Sequence, residues 1–210
     1  MNVTSNLRMA KEAYPFLVPL GLLAVFFMLI GLSWPAAICL ALVGFVAFFF
    51  RDPERRIPAE TSLIVSPADG KVVKIAPHPN GTTRVSIFLS VLDVHINRAP
   101  VAGRIGNVSY EPGKFRVAFD DRASVENERN TLEISNEKCQ VSVSQIAGIL
   151  ARRIVCWKAS GDRVARGERI GLIKFGSRVD LLLPQNVTLT VEVGDRVQGG
   201  SSIIGRINDG

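Results

Sequence analysis

The sequence GDRVARG at residues 161–167 recurs as GDRVQGG at residues 194–200, and this repeat decides the fold. The two copies are offset by 33 residues, and each leads into a short run with branched apolar side chains. The first run ends at Gly171 and the second at Gly205. A glycine followed by aspartate is typical of a tight turn between short strands. Two copies are too few for a solenoid. The repeat therefore predicts two related hairpins within one compact β-sandwich.

The chain around the repeat has the composition of strands from residue 51 onward. Short runs rich in Val and Ile are separated by Gly, Asp, Asn and Pro, and no long helical periodicity follows residue 51. The runs are Leu63–Val65, Lys71–Ile75, Val85–Leu89, Val141–Val143, Ile170–Ile173, Val179–Leu183 and Val187–Val191. We therefore expect a mainly β domain over residues 51–210, a barrel-sandwich with pseudo-repeated hairpins.

A long apolar run precedes this domain. Residues 13–50 contain no Asp, Glu, Lys or Arg. As a single helix they would extend about 57 Å, nearly twice a hydrocarbon core of about 30 Å. The middle of the run, GLSWP at residues 31–35, has the glycine, proline and interfacial aromatic of a turn at a membrane surface. The run predicts a membrane hairpin of two helices, about residues 13–32 and 35–50, that either spans the bilayer or re-enters it.

Basic residues flank the hairpin on both sides. Arg8 and Lys11 precede it, and Arg51, Arg55 and Arg56 follow it. Because Lys and Arg concentrate on the cytoplasmic side, both ends are expected there. Residues 1–12 are then a cytoplasmic segment, and the β domain lies on the cytoplasmic face of the inner membrane.

Charge and cysteine content narrow the classes of function. The net charge is +6, but the basic residues are scattered and aromatics are few after residue 51, which argues against nucleic acid binding. Attraction to an anionic bilayer accounts for the charge. Cys39, Cys139 and Cys156 have no metal-ligand spacing, so we expect reduced thiols in the cytoplasm and no metal site.

The candidate chemistry centres on the Gly176-Ser177 bond. Gly176 leaves its carbonyl open to approach, and Ser177 places a hydroxyl next to it. A serine needs a base within reach to act as a nucleophile. Of the two histidines, His78 lies in a Pro- and Gly-containing loop tip and has no assigned role, whereas His95 lies beside a strand. With Asp69 from a tight turn, His95 and Ser177 would form the acid, base and nucleophile of acyl chemistry.

The motifs along the chain resemble those of the short, membrane-anchored phosphatidylserine decarboxylase proenzymes, which depend on a pyruvoyl group. The resemblance covers the membrane run and a series of motifs in the expected order. These are FFRDP at 49–53, PADG at 67–70, VHINR at 94–98, YEPGKF at 110–115, NER at 127–129 and FGS at 175–177.

The resemblance implies a role for each candidate residue. Ser177 would attack the carbonyl of Gly176 with His95 as base and Asp69 orienting the imidazole, and cleavage would give chains of residues 1–176 and 177–210. The second chain would begin with a pyruvoyl group made from Ser177. That ketone would form a Schiff base with phosphatidylserine and release carbon dioxide, giving phosphatidylethanolamine without pyridoxal phosphate or a metal.

The resemblance also implies contacts with the lipid. Asn97, Arg98, Arg129 and Arg178 are candidate head-group contacts, and the segment from Tyr110 to Arg129 is expected to grip lipid. The two processed chains would remain partners, and assembly into a homo-oligomer is compatible with the sequence.

Other interpretations stay open at this stage. The repeat also resembles biotinyl and lipoyl carrier domains, so a non-enzymatic membrane-tethered binding module is one alternative. A serine hydrolase is another, although the Gly-x-Ser-x-Gly pattern is absent around Ser177. A third is a pyruvoyl decarboxylase acting on a different serine-bearing phospholipid, such as an archaeal-type ether lipid.

Overall fold

The computed structural model of the chain describes residues 8–113, 127–148, 153–174 and 177–208. The chain divides into two compact units, Met1–Glu54 and Arg55–Gly210.

The first unit is a helical hairpin. A short 3-10 turn at Lys11–Ala13 leads into helix α1, Tyr14–Leu29, and helix α2 is Ser33–Phe49. Gly31 turns the chain between them with φ +81°, a conformation that favours glycine. Strand β1, Arg8–Met9, pairs antiparallel with strand β2, Arg51–Asp52, so the two ends of the hairpin lie side by side.

Apolar side chains cover the outside of the hairpin. Leu29 is 81% exposed and Trp34 is 72% exposed. Within the described residues, one stretch, Lys11–Leu29, is long and apolar enough to cross a membrane, and α2 is a shorter apolar helix of 17 residues. An exposed apolar helix of this kind indicates association with a membrane.

The second unit is made of strands. They are β3 Leu63–Val65, β4 Gly70–Pro77, β5 Thr83–Leu89, β6 Ile96–Arg98, β7 Gly103–Glu111, β8 Arg129–Ser135, β9 Gln140–Ala147, β10 Ile154–Cys156, β11 Arg163–Val164, β12 Arg169–Ile173, β13 Ser177–Leu183, β14 Val187–Leu189, β15 Arg196–Val197 and β16 Ile203–Ile207. In the described part of this unit, the helical structure is limited to one 3-10 turn at Pro79–Gly81. The expected mainly β class is confirmed.

These strands form three antiparallel sheets. The largest has eight strands in the order β11-β7-β8-β9-β13-β5-β4-β15 and is curled into a half-barrel. Two sheets of three strands, β10-β12-β6 and β14-β16-β3, accompany it. Buried Val, Ile and Leu side chains from all three sheets form one core, as expected for a sandwich whose strands alternate between core and surface.

The sequence repeat appears as a structural repeat. The first copy supplies β11 and the second supplies β15, and these two-residue strands are the opposite edges of the eight-stranded sheet. In the turn before each strand, an aspartate accepts a hydrogen bond of 2.9 Å from the backbone N–H three residues earlier. Asp162 accepts from Ala159, and Asp195 accepts from Glu192. The pseudo-repeated hairpins thus close both edges of the sheet.

Candidate active site

Ser177 is the first residue of β13, near the middle of the eight-stranded sheet. It pairs with Leu89 of β5 on one side and with Ala147 of β9 on the other. Its side chain is fully buried, and its Oγ has no hydrogen-bond partner among the described residues. Gly176, predicted to carry the attacked carbonyl, lies outside the described residues. The predicted nucleophile is therefore held on a rigid element and shielded from water.

His95 lies immediately before β6 and is 2% exposed. Its backbone carbonyl accepts a hydrogen bond of 3.3 Å from the N–H of Ile173, which extends the pairing of β6 with β12. Its Nδ1 lies 2.9 Å from the backbone oxygen of Asp93. Because a carbonyl oxygen only accepts, Nδ1 carries the proton, and in the neutral ring the lone pair is on Nε2. This is the tautomer that a general base requires.

The face of the sheet β10-β12-β6 on which His95 lies is turned toward the eight-stranded sheet. Asn97 lies two residues after His95 and therefore shares its face. Asn97 pairs with Gly171 of β12, and a Cβ added to Gly171 would lie 2.9 Å from Nε2 of Gln145. The same Nε2 donates a hydrogen bond of 2.8 Å to Oδ1 of Asn97. This face of the small sheet is thus packed on Gln145 of β9.

Gln145 connects this face to Ser177. Gln145 and Ala147 are two residues apart on β9, so their side chains lie on one face of the large sheet. Ser177 shares that face, since it is the direct cross-strand partner of Ala147. The structure therefore places Ser177 and His95 on the facing sides of two packed sheets, 82 positions apart in the sequence.

Asp69 lies in the turn before β4, at the same end of the sheet as Ser177. Its carboxylate accepts hydrogen bonds of 2.9 and 2.7 Å from Nη2 of Arg55 and one of 2.8 Å from the N–H of Gly199. Both partners of the ion pair are buried, with side chains 8% (Arg55) and 14% (Asp69) exposed. Burial raises the pKa of the Asp69 carboxyl above 3.8, while the charge of Arg55 acts in the opposite direction. The contact of the Nδ1 of His95 with Asp93 and the contacts of Asp69 with Arg55 and Gly199 were not anticipated from the sequence.

A cavity of about 680 Å³ opens beside the loop that carries His95. Lys71, Ser90, Asp93 and Arg196 contribute polar groups to its wall. Asp93 is fixed there by hydrogen bonds from the N–H and Oγ of Ser90, at 2.9 and 2.7 Å, and by an ion pair of 2.7 Å with Arg196. The volume of this cavity is in the range of small-molecule sites.

The four candidate head-group contacts are not brought together. Asn97 is buried beside His95, and Nη1 of Arg98 donates to the carbonyl of Gly167 at 3.0 Å. Arg178 forms a buried ion pair of 2.9 Å with Asp180. Arg178 follows Ser177 by one residue, so alternation along the strand turns its side chain to the opposite face of the large sheet.

Arg129 lies on that opposite face as well. Both Arg129 and Arg178 pair with Ile146 of β9, and Arg129 also forms an ion pair with Glu111. The head-group role of these residues stays a prediction. Most of the expected lipid-gripping segment from Tyr110 to Arg129, residues 114–126, lies outside the described residues.

Two further observations concern groups with no assigned role. His78 is exposed in its loop, where its Nδ1 lies 3.3 Å from Oγ1 of Thr82. In the described ranges, no group of three or more His, Cys, Asp or Glu side chains has an arrangement that could hold a metal ion.

The known proteins that are similar to this chain share one description. The family model described as phosphatidylserine decarboxylase matches residues 42–205. A phosphatidylserine decarboxylase proenzyme of Symbiobacterium thermophilum is 49% identical over 209 residues, covering 94% of this chain and 95% of the relative. Proteins with the same name from Chlorobium chlorochromatii and Geobacter metallireducens are 47% identical over 188 residues and 42% identical over 212 residues. The alignments cover 87% and 96% of this chain, and 89% and 97% of these relatives.

These matches confirm the family resemblance drawn from the motifs and exclude the non-enzymatic module as the primary interpretation. The match covers more than half of the chain, and the relatives are matched over nearly their full length. The chain therefore belongs to the phosphatidylserine decarboxylase family and is a decarboxylase of phospholipid biosynthesis made as a proenzyme.

Proposed function

We propose that this chain converts phosphatidylserine to phosphatidylethanolamine and carbon dioxide with a pyruvoyl group that it makes from its own Ser177. The observation that carries the proposal is the buried Oγ of Ser177, without a partner in the described part of the chain, on the sheet face that packs toward His95. An isolated buried hydroxyl costs folding free energy, and the position of this one on the face toward His95 gives it a chemical use.

Formation of the group uses residues of the chain alone. His95 takes the proton of Ser177 Oγ as the oxygen bonds to the carbonyl carbon of Gly176, and the peptide C–N bond breaks to give an ester. Loss of the Cα proton of residue 177 then expels the Gly176 carboxylate. Water replaces the nitrogen of residue 177, so one ammonia leaves and a ketone remains. The Asp93 carbonyl, 2.9 Å from Nδ1 of His95, supports the required tautomer of the imidazole. The role of Asp69 rests on the family resemblance, since its carboxylate accepts hydrogen bonds from Arg55 and Gly199.

The surroundings of Ser177 fit a pyruvoyl group. The group is close in size to the serine from which it forms, and the cross-strand neighbours of Ser177, Leu89 and Ala147, are buried and apolar. The bound ketone supplies an electron sink for the carbon that loses carbon dioxide. His95 stays beside it and can return a proton to that carbon.

We further propose that the helical hairpin holds the enzyme on the cytoplasmic face of the inner membrane. The exposed apolar surface of α1 and the basic residues on both sides of the hairpin support this orientation. The substrate is a two-chain lipid that rarely leaves the bilayer, since each buried methylene contributes about 0.8 kcal/mol. An enzyme fixed at the interface meets its substrate without extracting it.

The test compares the intact masses of the purified wild type and of Ser177→Ala. We expect two chains, of residues 1–176 and 177–210, with one ammonia released per cleavage, for the wild type and a single chain for the variant. Ser86→Ala is the matched control. Ser86 is equally buried on the adjacent strand and its Oγ also has no partner among the described residues, but it lies on the opposite face of the sheet.

The control should be cleaved like the wild type. An intact wild-type chain that decarboxylates phosphatidylserine in vesicles would contradict the proposal. If the cleaved enzyme acts on serine-bearing ether lipids and leaves diacyl phosphatidylserine unchanged, the ether lipid is the substrate instead.

A further inference from the structure

Two arginines lie directly opposite each other at one edge of the eight-stranded sheet. Arg163 of β11 pairs with Arg104 of β7, so their side chains share a face, and both residues are exposed. Nε of Arg104 donates to the carbonyl of Gly161 at 3.1 Å, which holds this guanidinium beside the turn of the first copy of the repeat. Like charges directly opposite each other in a sheet are destabilising. An anion beside this pair would therefore stabilise the edge of the sheet.

The second copy of the repeat has a similar basic pair, but there the chain supplies a carboxylate. Arg196 of β15 pairs with Lys71 of β4. Lys71 lies 33 positions before Arg104, and Arg196 lies 33 positions after Arg163. Nη2 of Arg196 forms an ion pair of 2.7 Å with Asp93. Among the described residues, neither Arg104 nor Arg163 forms an ion pair with a carboxylate, so the two edges of the sheet differ in their counter-ion.

A cavity of about 830 Å³ lies beside the pair of arginines in the first copy. Both arginines line it, together with Lys138, Arg166 and one carboxylate, that of Glu137. Nη1 of Arg166 donates to the carbonyl of Leu63 at 2.9 Å, which fixes this third guanidinium in the wall. The described wall of the cavity therefore carries an excess of positive charge.

This cavity is separate from the candidate active site. Ser135 lines the cavity and pairs with Gln140 at the start of β9, whereas Ser177 pairs with Ala147 at the end of β9. The seven positions between Gln140 and Ala147 correspond to about 23 Å along the strand. A ligand in this cavity is therefore bound by residues other than those proposed for self-cleavage and decarboxylation.

We propose that this cavity binds the phosphate group of a small molecule or of a lipid between Arg104 and Arg163. Guanidinium groups bind phosphate through paired N–H donors, and two of them on adjacent strands can share the several oxygens of one phosphate. Ile57 and Ala102 add an apolar part to the wall, which suits an organic group attached to the phosphate. The bound anion removes the repulsion between β11 and β7, so binding stabilises the folded chain.

The test measures thermal midpoints of the full-length chain in nonionic detergent. The Ser177→Ala background is the parent, because it gives one polypeptide whether or not the proposed function holds. With inorganic phosphate in tenfold excess over its dissociation constant, we expect a midpoint about 3–6 °C above that in sodium chloride of equal ionic strength. Arg163→Gln should lose this difference. Arg196→Gln is the matched control at the equivalent position of the repeat, where Asp93 already supplies a negative charge, and it should keep the difference.

A second variant, Arg163→Glu, places a carboxylate directly opposite Arg104. We expect it to have a higher midpoint than the parent in phosphate-free buffer, because the repulsion across the pair becomes an attraction. Its midpoint should not rise further with phosphate. A lower midpoint than that of the parent in phosphate-free buffer would contradict the proposal.

Mixed micelles distinguish a free phosphate group from a lipid head group. The same chains are compared in detergent that contains phosphatidylglycerol or phosphatidylcholine, in which choline neutralises the phosphate. A rise with inorganic phosphate that requires Arg163 assigns the site to a free phosphate group, and a rise only with phosphatidylglycerol that requires Arg163 assigns it to a lipid. Equal responses of the parent and Arg163→Gln to both probes would show a general effect of salt or lipid and overturn the proposal. Loss of the response in Arg196→Gln, or no response of the parent to either probe, would also overturn it.

Discussion

The carboxylate of Asp69 is held by donors from two distant parts of the chain. Arg55 lies 14 residues before it and Gly199 lies 130 residues after it. The ion pair is almost entirely shielded, so its charges are weakly screened by solvent. The ionisation of Asp69 therefore depends on a balance between the cost of burial and the attraction of Arg55.

Replacing Arg55 with glutamine should shift this balance. Burial alone raises the pKa of Asp69, and Arg55 lowers it, so Arg55→Gln is expected to raise the pKa further. The measurement is an NMR titration of ¹³C-labelled aspartate carboxyls in the uncleaved Ser177→Ala background, with Asp69→Asn to assign the signal. Arg56→Gln, at the exposed neighbouring arginine, should leave the midpoint unchanged. An Asp69 midpoint that stays the same or falls in Arg55→Gln would contradict this account.

At the scale of elements, β13 connects the chemistry to the core. It carries Ser177 at its start, and Val179, Leu181 and Leu183 continue the same face into the apolar core. It pairs with β5 along its whole length and with β9 over residues 177–182. A strand that is paired on both sides and packed on the core has little freedom, so Ser177 is held in a fixed position.

Alternation along β13 leads to a stability prediction. Leu181 is fully buried, whereas Leu182 faces the other side and is half-buried. Leu181→Ala should lower the free energy of unfolding by about 2–5 kcal/mol, because it removes buried methyl groups and leaves a cavity. Leu182→Ala, the matched control, should cost clearly less. Denaturant titration in the single-chain Ser177→Ala background measures both values, and equal losses would argue against the register described here.

The position of β13 also predicts what happens after cleavage. Residues 177–208 include β13, β14, β15 and β16. Three of them, β13, β15 and β16, pair with β3, β4, β5 and β9 of the preceding chain. We expect the two processed chains to elute together in gel filtration under native conditions and to separate only when the fold is lost in denaturant. Release of the shorter chain in native buffer would mean that these pairings do not survive processing.

At the scale of the whole molecule, the two units differ in what they bury and expose. The unit Met1–Glu54 has an apolar exterior, whereas Arg55–Gly210 contains the core and the proposed reacting residues. In the proposed function, self-cleavage uses residues of the second unit alone, whereas decarboxylation also requires access to lipid in a bilayer. The hairpin is therefore expected to affect the second reaction more than the first.

Removing residues 1–50 should separate the two activities. We expect the truncated chain to cleave itself at close to the wild-type rate and to lose most of its activity on phosphatidylserine vesicles. The loss should be smaller on short-chain phosphatidylserine below its micellar concentration, since that substrate needs no bilayer. Equal loss of self-cleavage and vesicle activity would contradict the division between the units.

Composition and local sequence pattern were sufficient to predict much of the fold of this protein. The predicted strand runs Leu63–Val65, Val85–Leu89 and Ile170–Ile173 all lie within observed strands, because branched apolar runs between turn residues carry their signal locally. The repeat and the apolar hairpin were recognisable for the same reason. Strands β7 and β8 were not among the predicted runs, since their apolar residues are interrupted by polar ones and the pairing between the strands stabilises them.

The assembly of the site was decided only by the tertiary structure. Motifs named Ser177, His95 and Asp69, but their placement at one end of two packed sheets depends on strand register, which long-range packing sets. The Arg55–Asp69 ion pair joins residues 14 positions apart, and the hydrogen bond from Gln145 to Asn97 joins residues 48 positions apart. No local sequence pattern marks either contact. The sequence by itself determined the class, the repeat and the family. The folded chain determined which side chains share the buried space around Ser177, because proximity across sheets arises only when the core is packed.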